Sequence, residues 1–169
     1  MTDLQYPIGP FTVVADPSRA QLQAWIEEIA ALPARMRQAV AALPQGALDR
    51  HYRTGGWTGR QVVHHVADSH INCYVRFRLA LTEDNPTIKP YAENLWAELP
   101  DAKSGPVETS LALLDAVHAR WVALMRALTQ DQMRRTFLHP QAGTRDLATT
   151  IQLYVWHGEH HIAHLGLIR

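Results

Sequence analysis

A chain of 169 residues with 47% hydrophobic content is long enough to bury a core and short enough for one domain, residues 1–169. Sixteen basic side chains balance sixteen acidic ones, which argues against a chain built mainly to bind a phosphate backbone, so no nucleic-acid partner is expected. The single cysteine, Cys73, excludes an internal disulfide, no apolar run approaches the roughly 18 residues of a membrane span, and the N-terminus lacks a signal-peptide pattern; a cytoplasmic protein with no membrane partner is expected.

Residues 1–17 hold Pro7, Gly9, Pro10 and Pro17, which predicts an extended N-terminal arm with Tyr6, Ile8, Phe11 and Val13 laid on the body. A stripe of Leu22, Trp25, Ile26, Ile29, Leu32, Met36 and Val40 predicts a first helix from Ser18 to Leu43. Pro33 lies inside it and is expected to kink or divide it. Pro44-Gln45-Gly46 stops the helix, and a loop follows to Trp57. Thr58 is placed to cap a second helix, Gly59–Leu81, whose apolar set includes Val62, Val66, Tyr74 and Phe77 and which carries His64, His65 and His70. Residues 83–105 contain three prolines and one short helical stretch, Ala92–Leu99. That connection exceeds the roughly 2–8 residues of a tight helix hairpin, so the next helix can run parallel to the last. The third helix begins after Pro106 and follows Leu111, Leu114, Val117, Trp121, Leu124 and Leu128. Residues 129–146 read as a turn or small hairpin, with Thr136-Phe137-Leu138 a short strand. Asp146 then caps a fourth helix of about five turns, Leu147–Ile168. Four long amphipathic helices make an all-α helix bundle.

The fourth helix carries four of the ten histidines: His157, His160, His161 and His164. A lone histidine is more often a surface or hydrogen-bonded core residue. Four within eight residues of an amphipathic helix shift the balance toward a metal. Residues four apart on a helix lie about 40° apart around the axis, one turn on. His157 with His161, or His160 with His164, could therefore share one ion about 2.0–2.1 Å from each nitrogen. A third ligand would come from the second helix, where His64 and His65 point about 100° apart. Spacing alone leaves both choices open. Three imidazoles with no fourth protein ligand form the open, catalytic kind of site. There is no H-E-x-x-H, which excludes a zincin. Imidazoles suit zinc, nickel, iron or copper. Ser69, Asn72 and Arg76 share the side of His65, so Asn72 and Arg76, with Tyr154 on the fourth helix, are candidates for holding a small-molecule substrate. Asp68 is a candidate for orienting a metal-ligating histidine from behind. Cys73 is expected to be a buried, inert thiol.

The strings GGWTGRQVVHHVADSH, RFRLALTEDNPTIKPYAENLWAEL and YVWHGEHHIAH, with YPIGPF and RTFLHP, resemble the YfiT-like branch of the DinB superfamily over nearly the whole chain. The resemblance implies a four-helix bundle with an up-down-down-up course and one divalent ion per chain, expected to be zinc or nickel. It selects His65, which directly precedes an aliphatic residue, and the pair His157 and His161 as the metal ligands. His164 falls where many relatives carry Gln. The resemblance also implies a homodimer and a metal-dependent hydrolase, with a thiol S-transferase joining a low-molecular-weight thiol to electrophiles as the alternative. A non-catalytic metal- or ligand-binding protein is the rival from another class.

Overall fold

The computed structural model describes residues 4–169, so the first three positions of the expected arm lie outside the described residues. Ser18 caps α1 (Arg19–Ala41): its hydroxyl accepts from Gln21 N while the Gln21 side chain accepts from Ser18 N. Thr58 and Gln61 repeat this reciprocal cap at α2 (Gly59–Thr82). The connection that follows holds α3 (Glu93–Trp96) and α4 (Pro100–Ser104). The helical stretch expected over Ala92–Leu99 is thus shorter, and Pro100, suited to the first turn of a helix, opens the one after it. Next come α5 (Val107–Ala127), α6 (Gln130–Met133), a hairpin of β1 (Thr136–His139) and β2 (Gly143–Asp146), and α7 (Leu147–Gly166). Asp146 accepts from Thr149 N at 2.6 Å and caps α7.

The long helices α1, α2, α5 and α7 form an up-down-down-up four-helix bundle. Pro33 does not divide α1, which runs unbroken through it. The antiparallel hairpin pairs Thr136 with Asp146 and His139 with Gly143, whose φ of 77° suits the turn. It also pins the long connection, since Ile88 N donates to Leu138 O at 3.0 Å and Leu138 N to Pro86 O at 2.9 Å.

The arm meets the expectation in part. Phe11 is half-buried with its ring 6.1 Å from Trp156, and the Tyr6 ring lies 5.8 Å from His160, but Ile8 and Val13 stay exposed. Hydrogen bonds also hold the arm: Val14 exchanges two with the Gln152 side chain, and Trp156 Nε1 donates to Gly9 O at 3.1 Å. The arm therefore crosses α7 beside its histidines.

The apolar core falls into two halves. Phe77, Trp121, Met125 and Ile151 anchor one, and Met36, Val62, Val66, Leu114 and Leu165 anchor the other. Each such side chain contributes on the order of 1.5–3 kcal/mol by leaving water. Polar side chains are packed among these: His65 and His70 of α2, His118 of α5 and His161 of α7 are buried, and His157 of α7 is half-buried. Burying imidazoles there is costly unless their nitrogens find partners.

Candidate metal centre

The capped helices α2 and α7 carry the histidines. His65 Nε2 and His157 Nε2 stand 3.3 Å apart. One ring nitrogen each from His65, His157 and His161 lie within 4.8 Å of one another. Two nitrogens about 2.0–2.1 Å from a tetrahedral ion stand about 3.3–3.4 Å apart, so the closest pair has the separation that a shared ion requires. The donor set, three imidazoles and no thiolate, suits a borderline divalent ion.

Burial, followed by the neighbouring His160 and His164, pushes His65 down to about 4. Burial holds His157 and His161 well below the usual histidine range as well. The three rings are therefore neutral near pH 7, the form that ligates. No carboxylate is hydrogen-bonded to any of them among the described residues.

Of the neighbouring histidines, His64 turns away from the cluster, while His160 and His164 line the same cavity with other partners. His64 Nε2 donates to Gly105 O at 3.2 Å and its Nδ1 accepts from Ser110 Oγ at 2.7 Å, so it faces α5 and not the cluster. His160 stacks on Trp156, with ring centroids 4.5 Å apart. His164 Nε2 donates to Gln5 O at 3.2 Å and the ring stacks on Tyr52. Its Nδ1 is then left to accept from His161 Nδ1 at 3.3 Å, which leaves Nε2 of His161 bare. Glu159, between the two pairs, forms a bidentate ion pair with Arg35 of α1.

The cluster opens onto a cavity of about 530 Å³, within the usual range for small-molecule sites. Ser69, Arg76 and Tyr154 line it with the histidines. The rest of the wall comes from connections: Tyr6 of the arm, Arg53 and Trp57 of the loop before α2, Tyr91 of the long connection, and His139 of the hairpin. Trp57 packs on His65 at 4.6 Å between ring centroids, an apolar shield beside the nitrogens. Tyr154 donates to Ser69 O at 3.2 Å and accepts from Ser69 Oγ at 3.2 Å; burial raises it well above the usual phenol range, so it stays protonated.

Among the residues singled out from sequence, Arg76 and Tyr154 reach the cavity. Asn72 does not: its amide folds back onto Asp68 O at 2.8 Å. Asp68 makes no hydrogen bond to a histidine among the described residues; burial, then Asp101, pushes its carboxyl up to about 6. Cys73 is fully buried, and burial pushes its thiol up. The sequence reading passed over Arg53, Trp57 and Tyr91, which sit on connections without periodicity. It also passed over His118, whose one signal is a histidine beside the apolar stripe of the third helix.

A family model of the DinB superfamily matches residues 28–165. Relatives from Bacillus cereus (strain B4264) and Bacillus mycoides (strain KBAB4), each named a "Putative metal-dependent hydrolase", are 53% identical over 169 residues, spanning 100% of this chain and 97% of theirs. The solved structure of YfiT from Bacillus subtilis, titled a probable metal-dependent hydrolase with an unusual four-helix bundle topology, superposes with a TM-score of 0.94 at 48% identity, covering 96% of this chain and 94% of that one.

Proposed function

The chain belongs to the DinB superfamily, and from that premise we propose that it is a metal-dependent hydrolase of small esters or amides, with one divalent ion held by His65, His157 and His161. The observation that carries this reading is the convergence of three neutral imidazoles, without a carboxylate partner, on an open cavity. An ion held there would supply Lewis-acid polarisation and lower the pKa of a water or thiol at the position the protein leaves free. Arg76 and Arg53 are placed to hold an anionic substrate end. The Tyr154 hydroxyl, kept protonated and held by Ser69, helps fix the wall against which a substrate is oriented. Trp57 keeps water from one side of the histidines.

One feature favours a second reading. Glu93 is the sole carboxylate lining the cavity among the described residues, and it sits on the long connection, not beside the histidines. Amide hydrolysis needs a proton delivered to the leaving group, whereas attack by an activated thiol on an electrophile needs no further acid. The same site therefore also suits thiol S-transfer. A paired assay, with and without a low-molecular-weight thiol, on metal-loaded wild type and His157→Ala separates the two. Thiol-independent ester or amide cleavage that vanishes in the variant supports the hydrolase; thiol-dependent conjugation that vanishes supports the transferase. Turnover equal in wild type and variant refutes both, and no turnover with metal still bound leaves a binding protein. The proposal carries with it zinc or nickel as the ion and a cytoplasmic homodimer; metal analysis and light scattering of untagged protein check ion and assembly.

A further inference from the structure

Beyond the three candidate ligands, a file of buried imidazoles runs from the metal centre across the bundle. His157 Nδ1 lies 3.2 Å from His70 Nε2. His70 Nδ1 lies 2.8 Å from His118 Nε2. His118 Nδ1 lies 2.7 Å from the carbonyl oxygen of Ile29 in α1. His70 is 0% exposed and His118 2%.

The far end of this file is fixed by the backbone. In an α-helix the carbonyl of Ile29 would accept from the N–H of residue 33. Residue 33 is Pro33, which has no N–H. The carbonyl left over is buried and needs a donor, and His118 Nδ1 supplies one. A carbonyl only accepts, so the proton of His118 is on Nδ1. A neutral ring then has a bare Nε2, which accepts from His70 Nδ1. His70 Nε2 is bare in turn and accepts from His157 Nδ1. The proton of His157 is thereby held on Nδ1, and its Nε2 lone pair is the one facing His65 Nε2.

We propose that His70 and His118 are positioning residues: anchored on the carbonyl that Pro33 frees, they lock His157 in the tautomer whose Nε2 can bind a metal. The rings stay neutral throughout, because none has a carboxylate hydrogen-bonded to it among the described residues. Burial holds His118 down to about 4, in keeping with this. A metal-ligating histidine ordinarily has its second nitrogen held by a carboxylate, carbonyl or water. Here a backbone carbonyl acts through two intervening imidazoles. The role in metal binding rests on the ligand set proposed above; the tautomer assignment does not.

Nitrogen-15 NMR of metal-free protein, labelled at histidine, reads the tautomers directly, and competition with a chromophoric chelator reads zinc affinity. In wild type, His157 and His70 should each show a protonated Nδ1 and a bare Nε2. His118→Phe removes the acceptor for His70 Nδ1, so the His157 proton should redistribute toward Nε2 and zinc affinity should fall by about 10–100-fold. His118→Gln keeps an amide donor for Ile29 and an oxygen acceptor for His70, and should restore both the spectrum and affinity to within about threefold. Wild-type His157 protonated on Nε2 overturns the proposal even if the Phe variant fails to fold. A folded His118→Phe with unchanged spectrum and affinity, or a Gln variant as impaired as Phe, overturns it too. If wild type binds no zinc yet shows the expected tautomers, the relay stands and the ligand set falls.

Discussion

Gly158 follows His157, and a Cβ built on it would lie 2.6 Å from both terminal methyls of Leu32 in α1. Carbon atoms pack comfortably at about 3.5–4.0 Å, so the shortfall is about 1 Å. Leu32 is 2% exposed and has no solvent into which to swing. Gly158→Ala should therefore incur about 1–3 kcal/mol of overpacking. Against this, alanine in a helix interior is favoured over glycine by about 1 kcal/mol. The net expectation in wild type is a loss of up to about 2 kcal/mol. The decisive comparison is the same substitution in a Leu32→Ala background, itself less stable by about 2–5 kcal/mol. There the clash is gone and the helix preference remains, so Gly158→Ala should stabilise by about 1 kcal/mol. Urea unfolding of the four proteins, followed by circular dichroism, gives the coupling, expected to exceed about 1 kcal/mol. Equal stabilisation in both backgrounds would show that Leu32 moves aside at no cost, and would refute the claim that glycine sets the approach of α1 to α7 beside the metal centre.

Removing single imidazoles should divide the histidines sharply: His65→Ala, His157→Ala and His161→Ala should each lose most of the bound ion, and His160→Ala little, as read by metal analysis after gel filtration. Loss in His160→Ala with retention in His161→Ala would place the ligands on the other pair. Acid should destabilise the metal-free protein through its buried histidines. His118 titrates at about 4 when folded against 6.5 in the open chain, so between these values the unfolded chain binds the extra proton, and stability falls as pH falls. That one group accounts for about 1.4 kcal/mol per pH unit, about 3 kcal/mol across the window. Urea unfolding at pH 7, 6 and 5 should show His118→Gln with a shallower decline than wild type, by about 2 kcal/mol over the part of the window above pH 5; parallel slopes would mean that His118 is not buried in its neutral form.

The features legible in the sequence are those set by neighbours in the chain. Ser18, Thr58 and Asp146 cap helices because a side-chain oxygen reaches an amide three residues on, and the apolar stripes name the buried faces. What spacing could not decide depends on partners far along the chain. His64 and His65 are equivalent until Ser110 and Gly105 take His64 away. Asn72 shares the side of His65, yet its short side chain reaches the carbonyl four residues back before it reaches the cavity. Local rules were most informative where the chain breaks them. A proline inside a helix, a glycine in the middle of another, and histidines at two fully buried helical positions are each unfavourable taken singly. Pro33 frees the carbonyl that His118 takes, His70 joins His118 to His157, and Gly158 lets Leu32, the neighbour of Pro33, press against the helix that carries His157. Sites where a chain departs from its own local preferences tend to be functional ones, and here all four departures converge on a single imidazole.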